Sequence, residues 1–235
     1  MTTDSPLAAL VLGARSVLFD FDGPICGLFA RHRAPAVAAR LIDWLDARGQ
    51  GDALPEELRR LDDPHAVLRA VGRRCPGDDV VTALEEQLTL EEVEAAGNAA
   101  PTRYADELVR AWAGAGVPLA VATNNSVSAV VRYLESRGID GCFGPHLHGR
   151  TPDPSLLKPE PDCLHRALDS LGCRPEEALM IGDTPSDLWA AEKAGVAFIG
   201  YGRDARRGER LSRAGATAVV PSLKPLLSLL SGRHC

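Results

Sequence analysis

Lysine is nearly missing from this chain. Its 235 residues include only Lys158, Lys193 and Lys224 against 23 arginines, a bias that reads as genome composition rather than function. No basic run is present, and the aromatics, 5% of the chain, do not interleave with basic residues. That excludes the usual signature of a nucleic-acid surface, as does a net charge of −6. The C-x-x-C pair is also missing. Six cysteines (Cys26, Cys75, Cys142, Cys163, Cys173, Cys235) are scattered, so neither a zinc site nor a disulfide framework is expected, and they read as reduced thiols. No apolar run is long enough to cross a bilayer. Leu7 to Leu12 is apolar but too short, with no basic segment before it. The expectation is a soluble, cytoplasmic protein that binds neither nucleic acid nor membrane. With 45% hydrophobic and 25% charged residues, the chain suits one large domain, or a core with a smaller insert. No internal repeat or low-complexity tract appears.

The most informative stretch that is present is Val17-Leu18-Phe19-Asp20-Phe21-Asp22-Gly23-Pro24. A short apolar run bounded by Gly and Pro reads as a buried parallel-sheet strand, and in open α/β sheets ligands bind at the carboxyl ends of strands. Side chains alternate along a strand, so Asp20 and Asp22 would share a face. At about 4 Å and an effective dielectric of about 20, two such charges repel by on the order of 4 kcal/mol. A hard cation, a phosphoryl group or both would relieve that repulsion. A lone Asp after a strand is also a common turn or cap residue.

Further apolar runs at 118–122, 178–181, 196–199 and 216–220 read as strands. Helical patterns separate them near 102–115, 126–137, 160–171, 185–195, 205–214 and 222–230. This alternation predicts a Rossmann-like, doubly wound, mostly parallel α/β sheet. The segment 27–98 breaks the alternation, with helical patterns near 34–48, 55–61, 63–73 and 78–96 punctuated by Pro55, Pro64 and Pro76-Gly77. It reads as an inserted all-helical cap domain (27–98) on an α/β core made of 1–26 and 99–235.

Three more motifs follow the first in order. Leu119-Ala-Val-Ala-Thr123-Asn124-Asn125-Ser126 ends a strand in a hydroxyl, beside a helix N-terminus suited to phosphate; Asn125 or Ser126 would equally cap that helix. In Leu157-Lys158-Pro159-Glu160-Pro161, Pro159 keeps Lys158 out of helical geometry; a lysine there is otherwise an ordinary surface charge. Met180-Ile181-Gly182-Asp183-Thr184-Pro185-Ser186-Asp187 ends a strand in Gly-Asp, with Pro185 suited to a first helical turn. Asp183 and Asp187 beside Asp20 and Asp22 would make an oxygen-rich pocket for Mg²⁺. The alternative is that Asp183 or Ser186 caps the helix, with the acids complementing its dipole.

On Asp20-Phe-Asp22-Gly23, Thr123, Lys158-Pro159 and Gly182-Asp183-x₃-Asp187, the chain resembles the haloacid dehalogenase-like hydrolase superfamily, and in particular its phosphatases with a helical cap after the first strand. The tail Asp187-Leu-Trp-Ala-Ala-Glu-Lys-Ala-Gly195 fits the same resemblance. It implies a Mg²⁺-dependent phosphatase acting on a small phosphomonoester. Asp20 would be the nucleophile, forming an aspartyl-phosphate, and Asp22 the general acid and base. Thr123, Asn124 and Lys158 would bind the phosphoryl oxygens. The metal would sit on Asp20, the Asp22 backbone carbonyl and Asp183, with Asp187 supporting it directly, through water or through Lys158. One departure is Pro24, where the family usually has Thr or Val; it removes a backbone N–H at the hinge. Arg31, His32 and Arg33 would either grip a second anionic group or form a solvated basic face. The other histidines show no ligand spacing.

Rival readings are a dehalogenase, which would lack Asp22; a phosphomutase, which would need a sugar-phosphate site in the cap; and a non-catalytic phosphate-binding regulatory protein, which would be expected to lose acids. Monomer and homodimer both remain open.

Overall fold

The computed structural model describes residues 5–232; Cys235 and His234 lie outside them. Six parallel strands form the central sheet: β1 (Ser16–Phe19), β4 (Leu119–Ala122), β5 (Leu147–His148), β6 (Ala178–Gly182), β7 (Ala197–Tyr201) and β8 (Val219–Val220), in the order β5-β4-β1-β6-β7-β8. Strand β1 lies between β4 and β6, paired parallel to both through Leu18, which faces Ala120 and Met180. The chain therefore winds in both directions from β1. Such a reversal opens a crevice at the carboxyl ends of the strands. A short antiparallel pair, β2 (Cys26–Gly27) with β3 (Ala100–Pro101), stands at the start and end of the insert.

Alternation along the strands builds two cores. Val17, Phe19, Leu119, Val121, Leu179 and Ile181 point to one face, against α1 (Pro6–Gly13), α5 (Ala105–Gly114), α6 (Val127–Arg137), α7 (Asp140–Phe143) and α11 (Lys224–Ser231). Phe19 packs edge-on against both Trp112 and Phe143, with ring centroids 5.8 and 6.1 Å away. Leu18, Ala120, Ala122, Ala178 and Met180 point to the other face, against α8 (Asp162–Leu171), α9 (Pro185–Ala194) and α10 (Ala205–Arg213). Strands buried on both faces must be apolar throughout, which is why these segments read as continuous runs.

Between β2 and β3 lie α2 (Ala34–Ala47), α3 (Pro64–Arg74) and α4 (Asp79–Ala96), with a third hydrophobic cluster of their own that includes Val37, Leu41, Leu45, Leu68, Val71 and Leu84. The expected helix at 55–61 is only a 3₁₀ turn at Glu56–Leu58; Pro55 sets its start, and no residue in it is buried to reward a longer helix. The strand expected at 216–220 shrinks to Val219–Val220, which pairs with Gly200 and Tyr201 at the sheet edge. The apolar stretch 7–12 is part of α1, capped by Ser5. No helix among the described residues is long and apolar enough to cross a membrane.

Candidate active site

The four motifs converge at the carboxyl ends of β1, β4 and β6. Asp20 directly follows β1, and its N–H donates to the Ile181 carbonyl at 2.9 Å, fixing its backbone to β6. Its Oδ1 accepts from Lys158 Nζ at 2.8 Å. Lys158, only 2% exposed, also donates to Asp187 Oδ1 at 2.5 Å and to the Ala122 carbonyl at 3.1 Å. Burial by itself would discharge this amine, but the charges of Asp187 and Asp20 outweigh it and hold it protonated. Burial and the Asp187 charge push the Asp20 carboxyl up, opposed by Lys158. The Lys158–Pro159 peptide is cis.

Asp22 sits in the turn after Asp20. Its Oδ1 accepts the Leu28 N–H at 2.8 Å. Burial raises this carboxyl to about 6, with the Asp20 charge adding and Leu28, His65 and Arg203 opposing. Pro24 occupies the same turn, where Gly23 N–H bonds Cys26 O and the Ile25 and Cys26 N–H groups bond Phe21 O. The turn satisfies its own donors, so the N–H that Pro24 lacks leaves no gap among them.

Asp183 follows β6 and is 8% exposed. Its carboxyl is pushed well above the usual range by burial and by Asp187, Asp20 and Asp22. Gly23 faces it with φ +123°, and a Cβ there would lie 2.3 Å from Asp183 Cγ, so only glycine fits. At α9 the N-cap is Thr184, not Asp183 or Ser186, and Asp187 closes a capping box with it. Asp187 Oδ2 accepts from Thr184 N at 2.9 Å, Thr184 Oγ1 at 2.7 Å and Asp183 N at 3.2 Å. Capping and site-building are thus performed by the same carboxylate, and its link to Asp20 runs through Lys158. A Cβ on Gly182 would come within 2.4 Å of Asp187 Cβ.

The donor set fits a Mg²⁺ ion. Asp20, Asp183 and Asp187 each offer an oxygen within 4.8 Å of the others, and Asp183 Oδ1 is buried without a hydrogen-bond partner. Hard carboxylate oxygens are the ligands Mg²⁺ takes, and an orphaned buried acceptor is costly unless something occupies it.

Thr123 is fully buried after β4, its Oγ1 accepting from Asn125 N at 3.2 Å and donating to Asn125 Oδ1 at 3.1 Å. The Asn124 side chain is engaged with the backbone of Lys158: Oδ1 accepts Lys158 N–H at 2.8 Å and Nδ2 donates to Lys158 O at 3.4 Å. It positions the lysine. Ser126, not Asn125, caps α6.

All seven acids, hydroxyl, amide and amine residues named from the sequence line one cavity of about 1160 Å³. Of Arg31, His32 and Arg33, only Arg33 lines it; His32 is bonded to Glu91 at 2.7 Å beside Arg40. Several residues without a local sequence signal join the site from the insert. Arg69 donates to Lys158 O at 2.7 Å. Glu92 of α4, wholly buried, accepts from Ser126 N at 2.8 Å, Asn125 Nδ2 at 2.9 Å and Arg150 Nη1 at 2.6 Å, and bonds His65 Nε2 at 3.1 Å. Arg150 also holds Glu85 Oε1 at 2.8 Å and Thr89 Oγ1 at 2.6 Å. Burial pushes Glu92 up, but the Arg150 charge and the bonds from His65 and Arg150 overcome it and hold the carboxyl at about 2.

Residues 14–195 match the family model described as haloacid dehalogenase-like hydrolase. Over 94% of both chains, the sequence is 27% identical to a phosphoglycolate phosphatase of Shigella boydii. Among solved structures it resembles CbbY from Rhodobacter sphaeroides in complex with phosphate (TM-score 0.67, 22% identity, 93% of this chain and 99% of that one). It also resembles a HAD family hydrolase from Deinococcus radiodurans with bound phosphate and sodium (TM-score 0.57, 26% identity, 93% and 98%).

Proposed function

The chain belongs to the haloacid dehalogenase-like hydrolase family, and from that premise we propose that it is a phosphatase that hydrolyses a small phosphomonoester through an aspartyl-phosphate on Asp20. The observation that carries this reading is a pair of carboxyls at i and i+2 with unlike partners. Burial pushes both carboxyls up, but Asp20 is bonded to a protonated lysine, whereas Asp22, raised to about 6, accepts only the Leu28 N–H among the described residues. Two acids with divided roles are what nucleophilic attack followed by proton transfer requires.

In the first step a carboxylate oxygen of Asp20 attacks phosphorus, a P–O bond to Asp20 forms and the ester P–O bond breaks. Asp22 gives its proton to the departing alkoxide. Its Oδ1 is occupied by Leu28 N–H, which leaves Oδ2 to carry that proton. In the second step Asp22 takes a proton from water as the water oxygen attacks phosphorus, and Asp20 is released. Lys158 and the Thr123 hydroxyl stand beside Asp20 to offset charge on the equatorial phosphoryl oxygens; Asn124 and Arg69 hold the Lys158 backbone. Mg²⁺ would be held by Asp20, the Asp22 carbonyl and Asp183, with Asp187 acting through Lys158, and would stabilise phosphoryl charge. Attack, protonation and charge neutralisation together share a barrier reduction that reaches on the order of 28 kcal/mol for the slowest phosphate monoesters.

The same reading divides the chain into a core of 1–26 and 99–235 and a cap of 27–98, supported by the separate hydrophobic cluster of α2–α4 and the β2–β3 pair at its base. It also puts the enzyme in the cytoplasm, which the free thiols of the described cysteines support. The phosphoglycolate phosphatases among its relatives make small phosphorylated acids the first esters to try. The test is phosphate release from a panel of phosphomonoesters. Turnover that requires Mg²⁺ and vanishes in Asp20→Asn supports the proposal; metal-independent turnover, or turnover by Asp20→Asn, contradicts it.

A further inference from the structure

Resting on the phosphatase reading above, we infer that the cavity contains a second anion site built by Arg203, Arg206 and Arg210, and that the substrate is a phosphomonoester bearing a second phosphoryl group. Arg206, Arg207 and Arg210 lie in the first two turns of α10, with Arg206 and Arg210 one i, i+4 step apart, and Arg203 stands in the β7–α10 loop just before the N-cap Asp204. All four arginines line the same cavity as the catalytic acids.

Only one of the four is spent on acids. Arg207 lies 3.8 Å from Asp183 Oδ2 and 3.4 Å from Asp204 Oδ2. Among the described residues, Arg203, Arg206 and Arg210 have no carboxylate within 4.0 Å, and all three are exposed. In a chain of net charge −6, three unpaired guanidiniums along one cavity wall leave a local excess of positive charge facing the ligand. Two or three guanidiniums match a phosphate dianion in charge and in their bidentate donor geometry. The Arg203 guanidinium lies 3.7 Å from where a Cβ on Gly27 would stand, and its charge is felt at Asp22. Trp189 of α9, 44% exposed, lines the same cavity and offers an apolar surface for the carbon chain between the two anions. At about 1160 Å³ the cavity exceeds the ordinary range of about 300–1,000 Å³ for small-molecule sites, so it has room for a ligand longer than one phosphate and its ester carbon. The Arg31–Arg33 segment contributes only Arg33 to this cavity.

The experiment compares kcat/KM for a hexose monophosphate, a hexose bisphosphate and a phosphorylated hexose acid, in the wild type and in Arg206→Gln/Arg210→Gln. Both arginines are exposed and the substitutions keep polar side chains, so the fold is retained. The wild type is expected to prefer the bisphosphate by about tenfold or more, equivalent to about 1.4 kcal/mol, and the double variant to lose that preference through KM rather than kcat. A preference that survives the substitutions, or that the wild type lacks, overturns the site; an arginine-dependent preference for the sugar acid overturns its assignment to a phosphoryl group. If the wild type hydrolyses no ester, the phosphatase reading fails instead. Calorimetric titration of the hexose bisphosphate into Asp20→Asn then still decides the site. Binding that weakens on adding the two arginine substitutions supports it, and binding that is absent or unchanged overturns it.

Discussion

Glu92→Gln is expected to destabilise the protein by about 3 kcal/mol near neutral pH, and the loss should fade in acid. Glu92 reaches from α4 into the core and takes four partners there and in the insert: Ser126 N, Asn125 Nδ2, Arg150 and His65. Those partners hold its carboxyl at about 2 against an ordinary 4.5, which is worth about 3 kcal/mol at 1.36 kcal/mol per factor of ten in the proton equilibrium. The folded value is the lower one, so the unfolded chain binds more protons in between. The stabilisation is complete above about pH 4.5 and is lost as pH falls towards 2. Breaking a buried ion pair costs about 3–5 kcal/mol by a separate route, because Arg150, whose side chain is fully buried, loses a charged partner. Glutamine keeps the volume, so packing is conserved and charge is what changes. Urea unfolding of both proteins at pH 7 and pH 3 measures the difference, which should shrink by about 2 kcal/mol at the lower pH. Taking the difference cancels the opposite contributions of Asp20, Asp22 and Asp183, whose carboxyls are raised in both proteins. A difference below about 1 kcal/mol at pH 7, or one that does not shrink in acid, refutes the reasoning.

Lys158→Met should lower kcat by about 10²–10³-fold, the loss seen when one charge-stabilising donor is removed, with steady-state kinetics as the readout. Gly182→Ala should displace Asp187, because its Cβ would stand 2.4 Å from the Asp187 Cβ; a stability loss of about 1–3 kcal/mol from overpacking, read by urea unfolding, and a reduced kcat are expected together. Chelation should abolish phosphate release while leaving the circular dichroism spectrum intact, and Mg²⁺ should restore it; a chelated sample that still turns over contradicts the assignment of Asp20 and Asp183 as ligands.

Strands β1, β4, β6 and β7 are legible in the sequence because each is buried on both faces and must therefore be apolar along its length. Strand β5 is not, since Leu147–His148 is a two-residue edge strand whose only sequence mark is one leucine between histidines. Nor is the β2–β3 pair, which joins Cys26 to Pro101 across the whole insert by backbone bonds alone. The residues that meet in the candidate site are legible for a local reason: Asp20, Thr123 and Asp183 each terminate an apolar run, and a doubly wound sheet brings strand ends together. Asn124 shows the limit of that logic. Its position beside Thr123 suggests a phosphate contact, whereas the fold turns its side chain to the Lys158 backbone 34 residues away. Glu92, His65 and Arg150 carry no local mark, because their meeting depends on how α4 packs against α6. The arginines at 203, 206, 207 and 210 are visible in the sequence as a cluster, yet only the fold reveals that they face the cavity.

The central claim is that phosphorus is transferred to Asp20. A rapid-quench experiment with radiolabelled substrate and Mg²⁺, followed by proteolysis and mass spectrometry, tests it most directly. An acid-stable, hydroxylamine-sensitive phosphoryl group is expected on the peptide containing Asp20, formed and lost at rates compatible with turnover. Product formation with no label on that peptide at any quench time would contradict it.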